Sequence, residues 1–164
     1  MKRTLALAAA LALTVAACGD DGPTGPGGGD GDEMAATVGG VAFDPPGLSV
    51  QGNFAAAQDL FTLVGTHTSG GSTTVITLNV LGADEPGTYE LNPNFAGTFG
   101  QVGVTTGQTI AVWSTILAPG NGSITFTTLT ADRAAGTFQF TGQASNAGAT
   151  GQKTVTSGTF DVDL

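Results

Sequence analysis

The sequence predicts an all-β fold, an antiparallel meander of about nine or ten strands forming a two-sheet sandwich or a curled barrel. Three observations predict it. No segment beyond the N-terminal leader carries apolar residues at sustained helical spacing. Short alternating runs recur instead, bounded by Gly, Pro, Asn and Asp. Threonine, valine and phenylalanine, which suit a pleated and half-buried surface, share dominance with glycine and alanine.

Ala36-Thr37-Val38 and Val41-Ala42-Phe43 flank Gly39-Gly40, a pair that accepts the positive φ of a two-residue hairpin turn. Asp44-Pro45-Pro46-Gly47 then stops the pairing. Leu48, Val50 and Phe54 give one face of the next strand. Leu60 to Thr66 follows, and Ser69-Gly70-Gly71-Ser72 turns the chain into Thr73 to Leu81. There Ile76, Leu78 and Val80 face one way, with Thr77 and Asn79 opposite. Gly87 to Leu91 is a short strand behind the Asp84-Glu85-Pro86 turn. Thr109 to Thr115, Ser123 to Thr130, Gly136 to Gln143 and Thr154 to Leu164 complete the set. Short connections between neighbours favour antiparallel pairing.

One tripeptide recurs. Gly87-Thr88-Tyr89, Gly97-Thr98-Phe99, Gly136-Thr137-Phe138 and Gly158-Thr159-Phe160 all read Gly-Thr-aromatic, at irregular intervals that exclude a solenoid or propeller period. Glycine permits a bulge or a sharp bend into the strand, threonine faces out and the aromatic turns inward. An aromatic ligand platform is the competing reading, and the core is preferred.

The N-terminus fixes an address. Lys2 and Arg3 precede an apolar stretch from Leu5 to Ala17, too short to span a bilayer and built like a secretory signal over residues 1–17. Val15-Ala16-Ala17-Cys18 resembles the lipobox of bacterial lipoproteins, which implies diacylglycerol on the Cys18 thiol and signal cleavage before it. Cys18 is the one cysteine in the chain, so there is no disulfide framework, and lipidation accounts for a lone thiol. The resemblance implies a cell-envelope protein held to a membrane by acyl chains. Gly19 stands after the cysteine instead of the aspartate associated with inner-membrane retention, so the outer membrane is favoured where a cell has two. Residues 18–33 form a Gly- and Asp-rich tether that cannot bury enough apolar surface to order itself. Asp30, Asp32 and Glu33 lack the further ligands of a calcium loop, and the segment reads as a spacer. The domain proper spans residues 34–164.

Within it, Ser123 to Leu129, Ala135 to Thr141 and Thr156 to Val162 resemble a family of uncharacterised β-rich secreted lipoproteins. That family ends on a similar run with asparagine where Ser157 stands, and Gly39 likewise replaces an asparagine. The resemblance implies a secreted β domain and transfers no functional residue.

The chemistry is limited. His67, the only histidine, lies beside the Ser69 turn with no nucleophile-elbow motif and reads as a solvated loop residue. One histidine cannot make a multi-histidine metal site, and neither a metal nor a cofactor is expected. A glycosidase needs two acids at a set separation. Asp161 and Asp163 share one face of the last strand, where mutual repulsion favours a wet surface over catalysis. Asp84-Glu85 belongs to a turn, and Asp44, Asp59, Glu90 and Asp132 lie near strand ends. After the leader, two basic side chains stand against thirteen acidic ones, a formal charge of −11 that excludes nucleic acid and disfavours anionic headgroups.

Trp113 and Tyr89 are the candidate surface-contact residues. If Ile110 and Val112 face the core, Trp113 takes the opposite parity and faces solvent or a partner; burial in the core is the alternative, and the preferred one. The expected function is a non-enzymatic module contacting protein or glycan. A carrier of small apolar ligands, its barrel lined by Phe126, Phe138, Phe140 and Phe160, is the alternative, and a paired-carboxylate hydrolase a third.

Overall fold

The computed structural model describes residues 31–164. The leader, Cys18 and most of the tether lie outside the described residues. Eleven strands form one antiparallel sheet: β1 (Glu33–Val38), β2 (Val41–Phe43), β3 (Val50–Ala55), β4 (Leu60–Ser69), β5 (Ser72–Leu81), β6 (Thr88–Glu90), β7 (Phe99–Thr106), β8 (Thr109–Ser114), β9 (Asn121–Leu129), β10 (Arg133–Ala144) and β11 (Gln152–Asp163). The order is β2-β1-β11-β10-β8-β7-β5-β4-β3, with β9 on β10 and β6 on β9. The path ends at β2 and β3, so the sheet is open and not a closed barrel.

The sheet divides at β10. Residues 134–141 of that strand pair with β9, whereas its end pairs with β8 through Gln143↔Ser114 and Ala144↔Trp113. One layer, β2-β1-β11-β10-β9-β6, thereby faces the other, β3-β4-β5-β7-β8. Phe61 of β4 meets Phe126 of β9 edge-on at 4.9 Å and Phe160 of β11 at 5.8 Å between centroids, across the interior. Ile76, Leu78, Val80 and Val102 are fully buried beside them.

Two-residue turns set the local registers. Gly39 and Gly40 have φ of 56° and 86°, and Gly70 and Gly71 of 59° and 78°, as twisted hairpins require. The meander also closes over long range, since β1 pairs with β11 along Glu33↔Asp161, Met34↔Phe160 and Ala35↔Thr159. Glu33 thus already belongs to the folded part, and the Asp32 carboxylate accepts a hydrogen bond from the Asp163 amide at 2.9 Å.

The sequence pattern misses β7. Phe99-Gly100-Gln101-Val102-Gly103 shows little alternation because an inward position is glycine. A Cβ at Gly100 would stand 2.8 Å from the Phe140 ring on the opposite layer, so the ring fills the space a side chain would take.

Candidate functional site

The Gly-Thr-aromatic tripeptide builds the most distinctive surface of the molecule. Paired antiparallel, two copies complement one another: Gly136 lies opposite Phe160, Thr137 opposite Thr159 and Phe138 opposite Gly158. The pattern continues into β9 and β6, where Gly136 lies opposite Phe126, Thr137 opposite Thr125, and Thr88 opposite Thr125. Gly87 exchanges two backbone hydrogen bonds with Phe126. On the inner face glycine and phenylalanine therefore alternate from strand to strand, and the rings of Phe126 and Phe160 meet at 5.7 Å over Gly136. On the outer face the same register lines up Thr88, Thr125, Thr137 and Thr159 across four strands. The hydroxyls of Thr88 and Thr125 are 2.9 Å apart.

Three adjoining depressions run over this outer face. The largest, about 790 Å³, reaches from Thr127, Ala135, Thr137 and Thr159 toward Asp161, Glu33 and Asp44. The second, about 390 Å³, shares Thr137 and Thr159 with it and adds Ser123, Thr125 and Gln139. The third, about 430 Å³, shares Ser123 and Gln139 and runs on past Asn121 and Thr141 to Glu90. Together they make a trough with hydroxyls and amides along its middle, carboxylates at both ends, and the apolar residues Met34, Ala35, Pro45 and Ala135 lining its largest depression. Arg133, close to one end, is bound through both guanidinium nitrogens to Asp161, at 2.8 and 2.5 Å. The Asp161 hydrogen bond, and then its charge, raises the Arg133 pKa above the usual value, so the cation stays charged and occupied.

The outer face of the second layer differs. Strands β3, β4, β5, β7 and β8 contain one ionisable residue, His67, and it points inward. Val64 and Val75 alternate there with threonines, and Ile110 is 56% exposed.

Trp113 lies in the core. It pairs with Val102, whose side chain is fully buried, and so shares its inward parity, while Ile110 takes the exposed side. The parity in which Ile110 and Val112 face the core does not hold. At 7% exposure the indole offers no open face: its N–H donates to the Thr150 carbonyl at 3.1 Å, and the Lys153 ammonium covers the ring at 4.4 Å. Tyr89 is half-buried, packs edge-on against Phe126 at 5.6 Å and donates its hydroxyl to the Glu85 carbonyl at 2.8 Å. It fastens the turn before β6. Neither residue lies among those lining the trough, which the sequence did not single out as a site.

His67 is on β4, not in a loop, and half-buried, with its ring 6.0 Å from Phe43. Its Nδ1 is buried without a hydrogen-bond partner among the described residues. Asp161 and Asp163 share a face, as their spacing requires, with Asp161 engaged by Arg133. Among the described residues no group of three or more His, Cys, Asp or Glu is placed to hold a metal ion. The fourth copy of the tripeptide departs from the pattern: Thr98 is buried, accepting from the Leu81 amide at 3.0 Å, and Phe99 faces outward opposite Asn79. Gly97 at φ 84° turns the chain just before it and sets that reversed parity.

Comparison with known protein families, curated proteins and solved structures returned no match to this chain.

Proposed function

We propose that this chain is a lipid-anchored, non-enzymatic module of the bacterial cell envelope that contacts its partner through the outer faces of its strands. The location rests on the leader and on Val15-Ala16-Ala17-Cys18. The contact reading rests on where open volume lies. Phe126, Phe138, Phe140 and Phe160, which a carrier needs as the lining of a cavity, are 2–4% exposed: Phe126, Phe138 and Phe160 pack together with Phe61, and Phe140 fills the space over Gly100. The trough instead opens outward from the strands. A surface of this kind binds without enclosing its ligand.

Native mass spectrometry of the full chain, extracted from its own envelope in detergent, tests this reading. The expected result is the mass of the processed, acylated chain alone. A stable excess mass of a small apolar molecule that leaves only on denaturation would overturn it in favour of a carrier.

A further inference from the structure

We propose that the trough over β6, β9, β10, β11 and β1 is a binding site for a neutral, hydroxyl-rich glycan chain. The inference rests on the contact reading above and names the ligand class of that surface.

The shape calls for an elongated ligand. Three depressions joined through Thr137, Thr159, Ser123 and Gln139 form one path across the strands, open along its length. Its middle is lined by groups that both donate and accept hydrogen bonds, namely the hydroxyls of Ser123, Thr125, Thr137 and Thr159 and the Gln139 amide. Vicinal hydroxyls of a sugar are complementary to such a row.

Charge excludes anionic polymers. Glu90 stands at one end and Glu33, Asp44 and Asp161 at the other, so an anionic chain would meet repulsion wherever it lay. The two cations of the described residues are both occupied, Arg133 by Asp161 and Lys153 by the Trp113 ring. A protein partner is disfavoured for a different reason. Protein interfaces draw their affinity from aromatic, aliphatic or arginine anchors seated in dry pockets. The aromatic rings that reach the trough, Phe138, Phe140 and Phe160, are turned into the core at 3–4% exposure, and its apolar lining is confined to the end beside Met34, Ala35, Pro45 and Ala135, away from the row of hydroxyls.

The test titrates the full chain in detergent micelles with hexamers of β-1,4-glucose, α-1,4-glucose and β-1,4-N-acetylglucosamine, with hexagalacturonate as the anionic comparison. Amide resonances report the contact. At least one neutral hexamer should shift the amides of Thr125, Thr137 and Thr159, and hexagalacturonate should not. Thr137→Val with Thr159→Val removes two exposed hydroxyls while keeping shape and strand preference, and should weaken binding at least tenfold. Thr77→Val, on the other layer, should leave binding unchanged. Absence of shifts with all three neutral hexamers, or shifts confined to β3–β5, would overturn the glycan inference and leave the contact reading standing. Hydrolysis of a hexamer would instead overturn the non-enzymatic reading beneath it.

Discussion

Ser157 sits at φ 52°, in a left-handed conformation that costs an L-residue about 1–2 kcal/mol unless it is glycine or a short polar residue able to bond locally. The reason lies in its neighbours. Phe138 pairs with Gly158 and Phe140 with Val155, so β11 carries one more residue than β10 across this interval. Opposite β1, Ala35 pairs with Thr159 and Thr37 with Thr156, showing the same extra residue. Ser157 is therefore in a β-bulge of a strand paired on both sides, and the bulge bends that strand. Asparagine tolerates this conformation better than serine. Ser157→Gly should stabilise the domain by about 1 kcal/mol, and Ser157→Asn by less in the same direction. Thermal unfolding reads the change as a rise in Tm of about 3 °C for the glycine variant. A fall in both variants would mean that the serine hydroxyl contributes more than the backbone strain costs.

At the scale of the element, the Gly-Thr-aromatic copies in β10 and β11 act as one unit, because each glycine leaves room for the aromatic across from it. A Cβ at Gly136 would collide with the Thr125 carbonyl oxygen, and one at Gly158 would stand 2.6 Å from the Phe138 ring. Gly136→Ala should destabilise by about 2–3 kcal/mol, since neither a backbone carbonyl nor a packed ring yields cheaply. Gly103 lies on the outer face of β7 with nothing near its missing Cβ, so Gly103→Ala should be neutral or slightly stabilising. Equal losses in chemical denaturation for the two variants would sink this account of the motif. The same elements show what could be read in advance. Ten of the strands were legible from alternation and turn residues, because Gly39-Gly40 and Ser69-Gly70-Gly71-Ser72 state their geometry locally. β7 was not, because Phe140, some forty residues later, supplies the bulk that Gly100 lacks. Parity at Trp113 was left open by the sequence for a related reason. Ile110 looks like core in isolation, and only pairing with Val102 shows which side of β8 is inside. The trough was illegible as a site because its threonines come from three strands, β9, β10 and β11, and converge only through long-range register.

Over the whole molecule, charge is distributed unevenly, and this bears on how the chain is held at a surface. The layer β3-β4-β5-β7-β8 has no carboxylate on its strands, while β1, β6 and β11 carry Glu33, Glu90, Asp161 and Asp163. With thirteen acidic side chains against two basic ones after residue 17, no face offers the cationic patch that anionic headgroups require. On the proposed reading the attachment comes from the acyl chains on Cys18, each buried methylene contributing about 0.8 kcal/mol. Electrostatic attachment weakens as salt shortens the Debye length to about 3 Å at 1 M, whereas acyl insertion does not. Washing membranes with 1 M salt should therefore leave the wild-type chain in the pellet, and Cys18→Ala should move it to the soluble fraction or leave it unprocessed with its leader attached. Incorporation of labelled palmitate should be lost in the same variant. Release of the wild-type chain by salt would show that a charged partner holds it instead. A processed Cys18→Ala chain that still sediments with membranes would place the attachment in the β domain itself, with its charge-free layer the first surface to examine.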